Sequence, residues 1–161
     1  MVEQQQSSGL AVRQSIVVDA PRERAFGVFT EGMSSWWPME SYSIAPAPMV
    51  AAVVEPREGG RWFERSEDGS ETDWGRVLVW DPPGRVVLVW QLSAQWSYDP
   101  GLHTEIEVRF TAEDDGRTRV DLEHRKLEAY AEAAEQMRAV LGSDDGWGGL
   151  LRRFAAETRA A

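Results

Sequence analysis

The sequence predicts an α+β fold in which an antiparallel sheet curves around one helix near the end of the chain. The first observation is that the apolar residues of residues 143–158 recur with the spacing of one helix face, at Trp147, Leu150, Leu151, Phe154 and Ala155. The second is that most of the chain before residue 128 consists of short runs typical of strands, separated by turn residues. A helix of about 15 residues is roughly 22 Å long and cannot bury an apolar stripe by itself, so we expect the sheet to cover it.

The predicted C-terminal helix has a polar first turn. Ser143 can accept a hydrogen bond from a free backbone N–H group there, which is the role of an N-cap residue. Asp144 and Asp145 place negative charge at the positive end of the helix dipole. We therefore expect Ser143 to cap this helix.

One strand and two short helices are predicted before residue 40. We expect residues 1–9 to be a disordered tail because they are mostly polar. Residues 10–18 are rich in β-branched side chains, which favours a first strand. Asp19 is the expected N-cap of a helix that continues to about Thr30. Residues 31–38 should form a second short helix or a turn that ends at the proline.

Six further strands are predicted after a loop at residues 40–48. Glycine, proline and aspartate residues that favour turns set their boundaries. The last two alternate between apolar and polar residues, which is typical of antiparallel strands with one solvated face. The spacing then predicts a helix over residues 127–141 that Gly142 ends. The predicted strands are residues 49–54, 61–66, 72–80, 85–93, 103–111 and 118–125.

Composition limits the classes of partner and compartment. With 161 residues, 42% of them hydrophobic, the chain can build one sizeable core, and we expect residues 10–161 to form a single domain. A net charge of −10 argues against nucleic-acid partners and against docking on anionic membranes. The absence of cysteine excludes disulfides, thiolate metal sites and cysteine nucleophiles. With no membrane-spanning run and no signal peptide in the sequence, we expect a cytoplasmic protein.

Several short motifs follow one another along almost the whole chain. They are Asp19-Ala20-Pro21, Trp36-Trp37-Pro38, EPREGG at residues 55–60, GRVLVWDPPGRVVLVW at residues 75–90, TRVDLEH at residues 118–124 and Gly146-Trp147. In this order and spacing they resemble the helix-grip superfamily, which includes START-like lipid-binding domains, polyketide cyclases and birch-pollen-allergen-like proteins. Within it, the chain is similar to bacterial members of the family named for activators of the heat-shock protein 90 ATPase.

The resemblance implies a seven-stranded antiparallel sheet wrapped around a long C-terminal helix, with a cavity between them. Members range from ligand carriers to cyclases, so the fold does not fix the function. The eukaryotic co-chaperone for which the family is named has an additional N-terminal domain. This chain has no room for that domain, so we do not expect a chaperone partner.

His124 is the candidate for acid–base chemistry. It extends the apolar face of Val120 and Leu122 at the end of a strand, which would place it at the mouth of the cavity. A histidine there can orient a ligand oxygen or exchange a proton near neutral pH. The alternative is a buried histidine, hydrogen-bonded to backbone beside the C-terminal helix, because one histidine without an identified partner is weak evidence for catalysis.

Eight tryptophans provide more aromatic surface than a small core needs. Aromatic walls suit a flat or apolar ligand, although core filling accounts for about half of these side chains or more. Trp36 and Trp96 look least like core, because their neighbours are polar or loop-forming. The predicted ligand-binding residues are Trp36, Trp37, Trp62, Trp74, Trp90, Trp96, His124, Trp147 and Phe154.

Three arginines could bind an anion, but a surface position is favoured for each. We expect Arg61, Arg65 and Arg76 to lie on the outer face of the sheet, among many carboxylates. An acidic cluster around one turn is expected to be solvated; its members are Glu64, Glu67, Asp68, Glu71 and Asp73.

Metal and cofactor sites are not predicted. His103, Glu105 and Glu107 share a strand face, but same-face neighbours on a strand are roughly 7 Å apart, which favours a solvated face over a metal site. The sequence has no glycine-rich phosphate loop, no nucleophile elbow and no Walker motif. We therefore expect no cofactor.

The leading hypothesis is a non-catalytic domain that binds a small hydrophobic or aromatic molecule in an internal cavity roofed by the Trp147 helix. The second is an enzyme of cyclase, dehydratase or hydrolase type that uses His124 as acid–base. The third is an interaction module that modulates a chaperone ATPase, suggested only by the family name. A homodimer stays open, since strands or tryptophans of two copies could pair at a surface.

Overall fold

The computed structural model describes residues 9–160, and its elements follow the predicted order. The strands are β1 (Val12–Val18), β2 (Met49–Val54), β3 (Arg61–Ser66), β4 (Glu71–Asp81), β5 (Arg85–Trp90), β6 (Thr104–Ala112) and β7 (Thr118–Arg125). The helices are α1 (Arg22–Phe29), α2 (Ala134–Leu141) and α3 (Trp147–Ala160), with short 3-10 helices at Met33–Ser35, Asp114–Gly116 and Leu127–Ala133. The predicted tail, apart from Gly9, lies outside the described residues.

All seven strands form one antiparallel sheet in the order β1-β7-β6-β5-β4-β3-β2. Strands β2 to β7 each pair with their neighbour in sequence, while α1 and the first 3-10 helix carry the chain from β1 at one edge to β2 at the other. The predicted α+β class, and the seven-stranded sheet with a C-terminal helix that the resemblance implied, are confirmed.

The apolar residues of β6 and β7 lie on the same, buried side of the sheet. Ile106 lies opposite His124 and Val108 opposite Leu122, and all four side chains are buried. The period-two alternation in the sequence therefore predicted the correct inner face for both strands.

A close approach between β4 and β5 and a bulge between β3 and β4 shape the concave face. A Cβ atom on Gly75 would lie 1.7 Å from the carbonyl oxygen of Val89, so only glycine permits this approach of the two backbones. The register of β3 and β4 shifts next to Trp62, which leaves Trp74 as the extra residue of β4. Bulges bend a strand and increase its twist, and the curved sheet receives α3 on its concave side.

The predicted apolar stripe of α3 is buried, with Trp147, Leu150, Leu151, Phe154 and Ala155 all below a tenth exposed. The expected N-cap was wrong, because α3 begins at Trp147 and not after Ser143. The Ser143 hydroxyl donates to the carbonyl oxygen of Val140 at 2.8 Å and accepts from the N–H of Asp145 at 3.2 Å. It therefore stabilises the turn before the helix.

Two other expected helix features differ. The helix predicted over residues 127–141 is divided, because Ala131 has a φ of 54° and an α-helix of L-residues cannot continue through that conformation. The N-cap residue of α1 is Pro21 and not Asp19, and no side chain donates or accepts a capping hydrogen bond there. Among residues 9–160, no helix combines the length and the apolar character needed to cross a bilayer.

Candidate functional site

Six buried tryptophans form a continuous wall, which we call the tryptophan cluster: Trp36, Trp37, Trp62, Trp74, Trp90 and Trp147, each at most 5% exposed. Successive ring centroids are 5.9, 4.9, 5.5, 5.7 and 6.2 Å apart in the order 36–37–74–62–90–147. Phe154 of α3 joins the wall at 5.7 Å from Trp36. Tilted and edge-to-face pairs at such distances add about 0.5–1.5 kcal/mol each beyond the area they bury.

Every indole N–H of the cluster has an acceptor. A buried N–H without a partner costs about 1–3 kcal/mol, so these bonds fix where each ring lies. Trp36 and Trp37 donate to the carbonyl oxygens of Val28 and Tyr42, respectively, and Trp62 donates to Sδ of Met33. Trp74 donates to Oε1 of Glu64, Trp90 to the hydroxyl of Tyr130, and Trp147 to Nδ1 of His124.

His124 is fully buried, and its hydrogen bonds determine its tautomer. Its Nδ1 accepts the indole N–H of Trp147 at 3.1 Å, and because an indole N–H can only donate, Nδ1 carries no proton. The proton of the neutral ring is therefore on Nε2, which donates to Oγ1 of Thr104 at 2.9 Å. That hydroxyl donates in turn to the carbonyl oxygen of Trp90 at 2.9 Å.

Burial lowers the pKa of His124 to about 3, because removing the ring from water disfavours its charged form. The ring lies between Trp90 and Trp147, with centroids at 5.2 and 6.2 Å. The structure thus places His124 in the interior and not at a cavity mouth. For its ring to exchange a proton with a ligand, one of its two side-chain partners would have to move.

Two tryptophans lie differently from what their sequence neighbours indicated. Trp36 is 1% exposed and packs on Phe29 and Phe154, because the 3-10 helix before it turns its ring into the core. Trp96 is 43% exposed in the loop after β5, where its φ is 61°. The structure therefore brings eight of the nine predicted site residues into one interior and leaves Trp96 apart.

Glu64 is the interior residue that the sequence analysis missed. It was expected in a solvated acidic cluster, but it is 0% exposed. Its Oε1 accepts the indole N–H of Trp74 at 2.9 Å and the backbone N–H of Ile44 at 2.8 Å, while Oε2 accepts the N–H of Ala45 at 3.2 Å. The signal that could have found it is its position two residues after Trp62, which places both on the inner face of β3.

Residues 39–48, which we call the strap, cross the interior between β3 and the start of α3. The strap contains no helix or strand. The Tyr42 hydroxyl donates to the carbonyl oxygen of Asp145, just before α3, and two strap amides donate to Glu64. Met39, Tyr42 and Ile44 pack against the core. The strap therefore covers the end of the interior that holds Glu64.

The outer face of the sheet carries ion pairs and shallow concavities. Arg61 lies 2.9 Å from Glu71 and 2.8 Å from Asp73, so it is an outer-face charge, as the sequence favoured. Two concave regions among the described residues lie on the outside near β1, one lined by Ser15 and Glu113, the other by Ser15 and Glu107. Neither lies between the sheet and α3.

Glu105 and Glu107 were expected on a solvated face but are each only 8% exposed. The guanidinium of Arg125 covers both, at 2.9 Å from Glu105, and His103 Nε2 lies 2.7 Å from Glu105. Burial alone would raise the pKa of Glu105, but hydrogen bonds from His103 and Arg125 outweigh it and hold that pKa below its usual value. Within residues 9–160, no three histidine, aspartate or glutamate side chains form a group that could hold a metal ion.

Comparison with known proteins decides the family. The model of the family described as "Activator of Hsp90 ATPase homolog 1-like protein" (AHSA1) matches residues 19–158. The chain belongs to this family. The resemblance found in the sequence motifs is thereby confirmed. A search of curated proteins found no match to the chain.

Solved structures share the fold of this AHSA1 chain. An anthrahydroquino-γ-pyrone synthase, Txn09, is 38% identical over 92% of this chain and 97% of that chain, with a TM-score of 0.64. CalC from Micromonospora echinospora, a self-sacrificing resistance protein, is 33% identical over 93% of this chain and 94% of that chain, with a TM-score of 0.69. Protein NE0264 from Nitrosomonas europaea has a TM-score of 0.64 at 15% identity over 94% of this chain and 95% of that chain, which shows the fold alone.

Proposed function

We propose that this chain is a small-molecule-binding domain whose ligand is a flat aromatic compound held between the sheet and α3. The observation that carries the proposal is the tryptophan cluster, a wall of six indole rings with two buried polar side chains, Glu64 and His124, beside it. Ligand sites are mostly apolar and aromatic with a few placed polar groups. A core that only had to be filled would not need six indole N–H groups, each of which requires a partner.

One relative supports an aromatic ligand, and a second is compatible with binding without turnover. The name of the synthase Txn09 refers to a fused-ring anthrahydroquinone joined to a γ-pyrone, and 38% identity over 92% of this chain makes similar ligand chemistry a reasonable inference. CalC, which is 33% identical, is named as a resistance protein and not as a synthase. A binding role without turnover is therefore compatible with this branch of the family, and it is the role that we propose.

Ligand entry at the strap fits the geometry best. The sheet is paired along its length, whereas the strap has no regular backbone pairing and is held by isolated hydrogen bonds and by the partly buried side chains of Met39, Tyr42 and Ile44. Segments with few buried contacts and no regular backbone pairing open at the lowest free-energy cost. A ligand that displaces the strap would reach Trp37 and Trp74 first, because both contact strap residues or their partner Glu64.

The proposal is tested by calorimetric titration and thermal unfolding with hydroxylated anthraquinones, with straight-chain fatty acids for comparison. A ligand at about 100 times its dissociation constant adds about 2.7 kcal/mol to the free energy of unfolding, which raises Tm by about 5–10 °C for a chain of this size. We expect Trp37→Leu to weaken binding by about tenfold or more and Trp96→Leu, on the exposed loop, to leave it unchanged. Loss of binding in Trp96→Leu alone would move the site to the surface, and no binding of any aromatic compound would refute the proposal.

A second candidate is a cyclase-type enzyme, which the identity to a synthase favours. In that case Nδ1 of His124 would exchange a proton with the substrate after the indole of Trp147 has moved from it. The test is product formation from linear polyketide thioesters, followed by mass spectrometry, in the wild type and in His124→Gln. Product formed equally by both proteins would remove His124 from the reaction, and no product from either would leave binding as the function.

A further inference from the structure

Glu64 is a carboxylate enclosed in an interior that is otherwise mainly aromatic. All three of its hydrogen-bond partners are N–H groups, from the Trp74 indole and the backbone of Ile44 and Ala45. Among residues 9–160, no arginine, lysine or histidine forms an ion pair with it. A buried carboxylate without a cation depends on such donors, because leaving its oxygens unpaired away from water is costly.

Two of the three donors belong to the strap. The N–H groups of Ile44 and Ala45 are consecutive amides that each donate to a different oxygen of the carboxylate, at 2.8 and 3.2 Å. If the strap withdraws from β3, Glu64 keeps only the indole N–H of Trp74 at 2.9 Å. Whatever replaces the strap must therefore bring hydrogen-bond donors, since an apolar replacement would leave the carboxylate unsatisfied.

We propose that Glu64 is the residue that recognises the ligand, and that two neighbouring hydroxyl groups of an aromatic ring take the places of the Ile44 and Ala45 amides on its two oxygens. This inference rests on the proposed function and adds the ligand class, a flat aromatic compound with adjacent hydroxyl groups. Two donors on adjacent ring carbons can straddle one carboxylate, as the two consecutive amides do. An ionised carboxylate only accepts hydrogen bonds, so methyl ethers of the same hydroxyls cannot replace them.

The ring of such a ligand would lie against Trp37 and Trp74, whose centroids are 4.9 Å apart and tilted by 41°. Trp74 donates to Glu64 and Trp37 donates to the carbonyl oxygen of Tyr42 in the strap. The polar anchor and the aromatic surface are therefore adjacent, and both become accessible by the same movement of the strap.

The inference is tested by calorimetric titration of three probes: 2,3-dihydroxyanthraquinone, whose two adjacent hydroxyls are both too far from the quinone oxygens to bond to them, its di-O-methyl ether, and unsubstituted anthraquinone. We expect the wild type to bind 2,3-dihydroxyanthraquinone about tenfold or more tightly than the ether, and Glu64→Gln to lose this preference while still binding anthraquinone. Equal affinity of the wild type for 2,3-dihydroxyanthraquinone and its ether would overturn the role of Glu64 and leave the proposed function standing. No binding of any of the three probes would overturn both.

Hydrogen exchange in the wild type provides a test that does not depend on the folding of a variant. 2,3-Dihydroxyanthraquinone should make the amides of residues 39–48 exchange faster, since it displaces them from Glu64, whereas most ligands slow exchange near their site. Slower or unchanged exchange of the strap when this compound binds would overturn the proposed displacement.

A variant of the strap provides a further check. Tyr42→Phe, which removes the strap's hydrogen bond to Asp145 and leaves Glu64 in place, should bind 2,3-dihydroxyanthraquinone more tightly and keep the preference over the ether.

Discussion

His124 should make the protein lose stability as the pH falls from about 6.5 to 5. An unfolded histidine has a pKa of about 6.5, whereas burial lowers the pKa of His124 in the folded protein to about 3. Above pH 6.5 neither state binds the proton, so the full stability is present. Below pH 6.5 the histidine binds a proton in the unfolded state but not in the folded state. Each further pH unit then lowers the free energy of unfolding by about 1.36 kcal/mol. At pH 5 the loss is about 2 kcal/mol, a large part of a typical total of about 5–15 kcal/mol.

The measurement is urea unfolding followed by tryptophan fluorescence at about pH 7.5 and about pH 5, above the range in which most glutamates titrate. The chain has two histidines, so His103→Gln is introduced in both proteins to leave His124 as the only one. The protein that retains His124 should lose about 2 kcal/mol more than His124→Gln between the two pH values. Nitrogen NMR should show Nε2 protonated and Nδ1 unprotonated. An equal loss in the two proteins, or a His124 ring that titrates near pH 6.5, would refute the reasoning.

Two further predictions concern the sheet and the cluster. Gly75→Ala should cost more than about 4 kcal/mol in urea unfolding, because its Cβ would meet the carbonyl oxygen of Val89 at 1.7 Å; Gly27→Ala, with no atom within 4 Å of the new Cβ, should stabilise the protein by about 0.5–1 kcal/mol. An unchanged midpoint for Gly75→Ala would contradict the close approach of the two strands. Trp147→Phe should cost about 1–3 kcal/mol, since it leaves the acceptor nitrogen of the buried histidine without its donor. The exposed Trp96→Phe should stay within about 0.5 kcal/mol of the wild type, and equal effects of these two changes would argue against the buried hydrogen bond.

The candidate site could be predicted where side-chain direction follows from strand period or helix face. Trp147 and Phe154 lie on one helix stripe, so sequence spacing was enough to place them inside. Trp36 lies just after a 3-10 helix, where no long period exists, and its polar neighbours indicated the wrong environment. Glu64 was missed because a carboxylate near a turn is usually solvated, and only its hydrogen bonds to the strap make its burial tolerable.

By itself, the sequence determined the fold class, the order of the elements and the inner faces of β6, β7 and α3, because apolar periodicity and turn residues are local properties of the chain. Only the tertiary structure decided which polar groups meet inside. The hydrogen bonds from Trp147 to His124 and from His124 to Thr104, and those from the strap amides to Glu64, join residues that are 19 to 23 positions apart in the sequence. Such contacts depend on the curvature of the sheet and on the path of an irregular segment. Neither of these produces a periodic pattern in the sequence, so the hydrogen bonds of the interior could not be predicted without the tertiary structure.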